Sequence, residues 1–371
     1  MMKNLFNLQL IFILILLSSC EKGGNIDVES EILKEMTTAR IPSVAACVIS
    51  NNEIVWEGIY GFADISESRP ATRQTSYTLM SVSKLFLATA VMQLWEKGMI
   101  NIDEDINHYL PFAVRNPRFP DHKITARMLL THTSSLAWPV DEDGIPGFYL
   151  LFQHDEVPLI SEWLPEYILP GGSFYRASVW KDFPPGEQEL YSNIGTSLLA
   201  LIVENLYGVD YRDYCKSNIF EPLEMNNTDF RLEALSEELL ATPYLDIDHS
   251  LTQFTNLAYP AASIKSSMED FSHFMMAILN NGIYNGIRIL EPGSVEKMFE
   301  LHNPATGRSL IWTNCPGDCI GHSGTGDGFS TRAEWYPGDR KGLLIFSNMR
   351  NQSVYPKGRI YELVRYQFSK Y

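Results

Sequence analysis

A serine three residues ahead of a lysine is a spacing that can do acyl chemistry. The chain carries it four times, at Ser19–Lys22, Ser81–Lys84, Ser178–Lys181 and Ser294–Lys297. The hydroxyl would be a nucleophile and the amine its base, and on a helix residues i and i+3 share a face. Context separates the four. Ser19 lies in an apolar leader. Ser294, in EPGSVEKMF, reads as a helix N-cap. Ser178 sits among aromatics and prolines with no clear helix. Ser81 alone stands at the start of a long apolar helix, TLMSVSKLFLATAVMQLWEKG, ending at Gly98. Free amides and the helix dipole favour negative charge on an oxygen there. The apolar run would also desolvate Lys84 and make a neutral amine accessible. The plainer alternative is that Ser81 caps the helix and Lys84 is a surface cation.

The elements that would position these residues are legible in outline. Val28, Ile32, Leu33 and Met36 recur at helical spacing before Pro42. SVAACVIS and IVWEGIYG form a hairpin about a turn at Asn51 and Asn52. Residues from about 100 to 250 are mainly helical, with SNIGTSLLALIVENLYG and DYRDYCKSNIFEPL the clearest helices. Short strands return in RSLIWT, CIGHSG, GFSTRAEWYP and GLLIFSN, and Ile360, Leu363, Val364 and Phe368 form the stripe of a last helix. The expected fold is α/β: an antiparallel sheet built from both ends of the chain, flanked by helices, with a mainly helical lobe inserted. The expected bounds are 27–80 plus 255–371 for the sheet part and 81–254 for the helical part. Ser81 falls at the handover, where clefts form.

Two further motifs single out Ser81. PPGEQELYSNIG holds Tyr191 and Asn193 as Tyr-x-Asn, and CIGHSGTGDGF holds His322, Ser323 and Gly324. The order Ser-x-x-Lys, Tyr-x-Asn, His-Ser-Gly resembles that of the serine β-lactamase and penicillin-binding enzymes. ITARMLLTHTSSL, IFEPLEMNNTDF, AASIKSSMEDFSHFMMAILNNG and RILEPGSVEKM are similar to segments of the same family, and Tyr-x-Asn points to its class C branch. The resemblance implies an acyl-enzyme at Ser81, with Lys84 and Tyr191 sharing the base role and Asn193 positioning Lys84 and a substrate amide. It implies an oxyanion hole from the backbone N–H groups of Ser81 and Thr325. It also implies substrate contacts at His322, Ser323 and Gly324, the glycine letting substrate approach the strand. A phenol has a pKa of about 10, and one cation at about 4 Å gives about 4 kcal/mol at a dielectric of 20. A charged Lys84 would thus bring Tyr191 near neutrality. Histidine at 322, where many relatives have lysine, gives a weaker or pH-dependent grip on a carboxylate. Arg332 reads as an ordinary exposed strand arginine, the alternative being that it adds a charge for that carboxylate. His132 reads as structural, because lysine and tyrosine already fill the base role. The aromatic stretch 138–183 either covers the pocket or packs in the lobe.

The remaining expectations concern context. Residues 1–19 read as a lipoprotein-type signal ahead of Cys20, whose acylation would hold the exported protein at a bacterial membrane. An ordinary cleaved signal is the alternative. Cys315 and Cys319 bracket a turn and would form a disulfide in an oxidising compartment or remain free thiols. Cys47 and Cys215 read as buried hydrophobes. No metal-ligand cluster or nucleotide fingerprint is present, so neither metal nor cofactor is expected. The net charge of −16 speaks against nucleic acid. The expected reaction is hydrolysis of amide, peptide or β-lactam bonds in D-amino-acid or cell-wall-like peptides. Ester hydrolysis, or an acylatable sensor without turnover, are the alternatives. Oligomeric state is not legible.

Overall fold

The computed structural model describes residues 26–137, 151–152, 156–315 and 318–371. The leader with Cys20, and 138–150 and 153–155 of the aromatic stretch, lie outside the described residues. Seven strands form one antiparallel sheet: β1 (Ser43–Ser50), β2 (Glu53–Asp64), β3 (Arg69–Pro70), β4 (Thr313–Cys315), β5 (Cys319–Gly326), β6 (Phe329–Tyr336) and β7 (Lys341–Ser347). Their order is β4-β5-β6-β7-β1-β2-β3, so the first and last strands of the chain pair at the centre, Val44 opposite Ser347. Asn51 and Asn52 make the β1–β2 turn with φ of 50° and 66°, the left-handed pair that a two-residue hairpin needs.

Strand β1 is buried along its whole length, and its residues alternate between two cores. Val44, Ala46 and Val48 face the terminal helices Val28–Ala39 and Arg359–Phe368. Ala45, Cys47 and Ile49 face the larger core, which holds helix Met268–Leu279 and the inserted helices. Cys215 is also buried there. The Ser81 segment is not one helix. Met80–Ser83 is a 3₁₀ turn, and the α-helix runs Lys84–Glu96, with Gly98 at φ 67° just beyond its end. Every residue from Lys84 to Leu94 is buried. A helix apolar all round belongs in the middle of a protein. Among the described residues, no helix is long and apolar enough to cross a membrane.

Three expectations need correction. Ser294 is not a cap: the helix is Pro292–Phe299 with Glu291 at its N-cap, and the Ser294 hydroxyl is buried without a partner among the described residues. RSLIWT is mostly loop, because only Thr313–Cys315 pairs as a strand and Ile311 is left-handed at φ 70°. The first helix ends at Arg40, a left-handed C-cap, before Pro42 is reached.

The sheet grips the Ser81 turn directly. Thr331 donates its hydroxyl to the Leu79 carbonyl at 2.7 Å. A Cβ on Gly324 would come within 2.2 Å of that carbonyl oxygen and 2.3 Å of the Thr331 hydroxyl. Gly324 is therefore needed for packing against the protein's own backbone, whereas the motif alone suggested room for substrate. Gly324→Ala should lower stability by about 1–3 kcal/mol through overpacking. Urea unfolding measures this, and an unchanged midpoint would show that the turn does not press on the strand.

Candidate active site

Ser81, half-buried in the 3₁₀ turn, is met from two sides. Lys84 Nζ donates to Ser81 Oγ at 3.0 Å, and the Tyr191 hydroxyl donates to the same oxygen at 2.9 Å. Lys84 also donates to the Ala261 carbonyl at 2.9 Å and stands 4.9 Å from the centre of the Tyr191 ring. Tyr191 reaches this place because it directly precedes a well-made helix start. Ser192 caps helix Asn193–Tyr207 by accepting from Gly195 N at 3.0 Å. Asn193, the first helical residue, is 5% exposed, and its Oδ1 lies buried without a partner among the described residues. Asn193 thus lines the same cleft but does not hold Lys84 here.

The cleft is a cavity of about 890 Å³ beside β5. Ser81, Tyr191, Asn193, His322, Ser323 and Thr325 all line it. His322 and Thr325 lie on β5, opposite Ala333 and Ser330 of β6. Arg332 is no exposed strand arginine. It is 9% exposed, donates to Ser323 Oγ at 2.6 Å and pairs with the fully buried Glu334. Glu334 also accepts from Tyr336 and Tyr361.

Burial governs the site's acids and bases. Lys84 has no exposed surface, and desolvation, helped by the charge of Arg308, holds its amine well below the usual lysine range. Burial pushes the Tyr191 phenol up to about 12, although the Ser81 hydrogen bond and Arg308 pull the other way. This overturns the expectation of a phenol brought toward neutrality by a charged lysine. Both shifts favour the uncharged forms, a neutral amine and a protonated phenol. His322 is lowered to about 3, first by burial and then by the surrounding cations. Its Nδ1 lies 2.8 Å from the Ser323 carbonyl, so a neutral ring carries its proton there. The expected pH-dependent grip near neutrality is absent.

Sequence reasoning missed Arg308 and Glu189. Arg308 binds Glu189 through Nη2 at 2.7 Å and donates Nη1 to the Thr313 hydroxyl at 2.9 Å. Glu189 stands two residues before Tyr191, the one signal that existed; nothing in the sequence marked Arg308. The Ala261 carbonyl is backbone and carries no side-chain signal at all. Cys315 and Cys319 are bridged as register partners across the β4–β5 hairpin, with Cα atoms 4.9 Å apart. In the described part of the aromatic stretch, Trp163, Tyr167 and Trp180 belong to the core and do not line the cleft.

His132 and His322 are both held neutral, whereas a free imidazole titrates near 6.5. Below that value the unfolded chain takes up protons that the fold resists. Stability is therefore untouched by these groups above about pH 6.5 and falls as pH drops from there toward about 3. Each ring adds at most about 1.4 kcal/mol per pH unit. His322→Gln should flatten the slope of unfolding free energy between about pH 6 and pH 4. An unchanged slope would mean that His322 is charged in the folded state.

Comparison with known proteins agrees with the geometry. The chain is 28% identical over 327 residues to penicillin-binding protein 4* of Bacillus subtilis, covering 82% of this chain and 67% of that one. It spans about two thirds of the length of the curated relatives it matches. An octameric penicillin-binding protein homologue from Pyrococcus abyssi superposes with a TM-score of 0.75 at 23% identity, over 92% of this chain and 76% of the other. A class C beta-lactamase superposes at 0.73 and 20% identity, over 94% and 98%. The fold is thus the β-lactamase/transpeptidase-like one. Since the beta-lactamase family model also matches residues 28–364, nearly the whole chain, this protein belongs to the beta-lactamase family.

Proposed function

We propose that the protein is a serine hydrolase that works through an acyl-enzyme on Ser81 and acts on peptide, amide or β-lactam bonds. Family membership supports serine hydrolysis of β-lactam or peptide bonds. The observation that carries the reading is the meeting of Lys84 Nζ and the Tyr191 hydroxyl on Ser81 Oγ, at 3.0 and 2.9 Å.

The neutral Lys84 amine takes the Ser81 proton as Oγ attacks the carbonyl carbon. The new ammonium is held by the Ala261 carbonyl. Backbone N–H groups of Ser81 and Thr325 face the developing oxyanion. As the carbon–nitrogen bond breaks, Tyr191 gives its proton to the leaving nitrogen and recovers one from Lys84. Water then attacks the ester carbon while Lys84 takes its proton; the carbon–Oγ bond breaks, the acid leaves, and Lys84 returns that proton to Ser81 Oγ. Three arginines, Arg308, Arg332 and Arg350, line the cleft against one carboxylate, Asp327. Arg308 and Arg332 are paired with Glu189 and Glu334, so the cleft offers oriented N–H donors more than free charge, and such donors suit a carboxylate such as the end of a D-amino-acid or cell-wall-like peptide.

A second reading, carboxylic-ester hydrolysis, is favoured by one observation. His322 is neutral where the family pattern commonly carries lysine, so this strand supplies no fixed cation and an uncharged ester also fits. A fluorescent penicillin and an ester chromogen, each tried on wild type and Ser81→Ala, separate the readings. We expect Ser81 to be labelled and turned over, and the alanine variant to lose at least about 10³-fold in rate. Ester turnover without labelling favours the esterase, labelling without turnover favours a sensor, and undiminished activity in Ser81→Ala sinks all three.

The pH profile follows from Lys84. Activity should be full above its depressed pKa and fall as pH drops through that value, because the ammonium cannot act as base. No alkaline loss from the phenol is expected below its elevated value of about 12. A single alkaline limb near pH 7 would contradict this assignment. We further propose export and acylation at Cys20. Cys20→Ser should move the protein from the membrane fraction to the soluble one, and equal partition of both forms would count against the anchor.

A further inference from the structure

His132 has no step in the acyl transfer just described, yet three of its features face Tyr191. Its carbonyl accepts from Leu190 N at 2.6 Å, and its Nδ1 accepts from Ser192 N at 3.3 Å. Its ring centre lies 4.4 Å from that of Tyr191, inclined at 43°. The residues before and after the tyrosine are thus both tied to one histidine. The backbone of His132 is left-handed, φ 58°, which turns carbonyl and side chain toward the same segment. Histidine tolerates that region better than most residues. The next residue extends the tie, since the Thr133 carbonyl accepts from Gly186 N at 2.7 Å.

The tie requires one protonation state. An Nδ1 that accepts an amide proton leaves the ring's hydrogen on Nε2, and a protonated ring would set two donors against each other. The side chain is 1% exposed, and Nε2 is buried without a partner among the described residues. Burial, with Arg308 and Lys84 nearby, keeps the ring neutral. Tyr191 needs such a support. It is 36% exposed to the cleft, sits on a loop, and must hold its hydroxyl at 2.9 Å from Ser81. Misplacement by about 1 Å costs a catalytic group on the order of 100-fold.

We propose that His132 is a positioning residue for Tyr191: its carbonyl and Nδ1 fix the amides on either side, and its ring backs the phenol against Ser81. This rests on the reading of Tyr191 as the proton donor to the leaving group. Two substitutions divide the contributions. His132→Phe keeps a ring and loses the acceptor, whereas His132→Asn keeps an acceptor near Nδ1 and loses the ring. The experiment measures acylation of Ser81 by fluorescent penicillin in these variants, alone and combined with Tyr191→Phe. It also records the Tyr191 ring resonance in protein labelled with ¹³Cζ-tyrosine. We expect His132→Phe to slow acylation by about 10- to 100-fold with little change in KM. It should add almost nothing to the loss in Tyr191→Phe, and His132→Asn should restore much of the rate. The Tyr191 resonance should move in His132→Phe. If that variant does not fold, His132→Gln, which carries its amide to the Nε2 position, serves in its place. Wild-type acylation by His132→Phe, or losses that multiply in full with Tyr191→Phe, overturn the proposal. Should the wild-type protein not acylate at all, the functional reading fails. The resonance then decides alone, and its failure to move overturns the role of His132.

Discussion

An amine with no surface of its own in water cannot keep a proton cheaply, and the site is built on that constraint. Lys84 heads a helix that is buried on every side, so its ammonium form would have to be desolvated with only a few groups to receive its hydrogens. Two acceptors are supplied, Ser81 Oγ and the Ala261 carbonyl, and among the described residues no carboxylate is bonded to it. A carboxylate would have fixed the charge and removed the base. Arg308 adds a repelling charge in the same direction. The same dry surroundings raise the phenol of Tyr191. One cause, burial, therefore moves the amine and the phenol in opposite senses, each toward its uncharged form.

The sheet makes that enclosure hold its shape. Met80 is left-handed at φ 50°, an unfavourable conformation for a side-chain-bearing residue, and it bends the chain into the turn that carries Ser81. The bend persists because Leu79 is gripped by Thr331 and Ile264, and because Gly324 lets the turn lie against β5. On the other side of Gly324, the Tyr355 hydroxyl donates to its carbonyl at 2.7 Å. The first and last strands pair at the centre, so the nucleophile's support depends on residues more than two hundred positions away. Folding and catalysis share these contacts.

What the sequence made legible was local in kind. Ser81 and Lys84 are three residues apart, so helix geometry alone brings them together, and Asn51–Asn52 announces its hairpin in two letters. Tyr191 and His322 were reached only because their motifs kept a familiar order. The failures share one cause: burial is a property of the assembled fold. A charged lysine beside a tyrosine predicts an acidic phenol, and the observed enclosure reverses it. Ser294 matched a cap pattern, but Pro292 had already opened that helix from Glu291. Arg332 looked exposed because strand arginines usually are, and only the partner Glu334 explains its burial. Arg308 opens RSLIWT, a stretch that reads as a strand and is mostly loop, so where its side chain goes was not legible.

The arginines show how a cleft can be lined by guanidinium groups while carrying little free charge. Arg308 is neutralised by Glu189, and Arg332 by Glu334, so each contributes oriented donors more than free charge. Glu334 can afford full burial because Arg332, Tyr336 and Tyr361 all donate to it. Through Arg332 that network ends on Ser323 Oγ, which keeps the hydroxyl pointed by a fixed donor. His322 beside it is neutral. A substrate carboxylate entering here would meet hydroxyls and guanidinium groups already engaged elsewhere. Recognition then depends on how well its shape lets it share those donors, a weaker demand than a bare lysine would make. The selectivity of this cleft should follow geometry before charge.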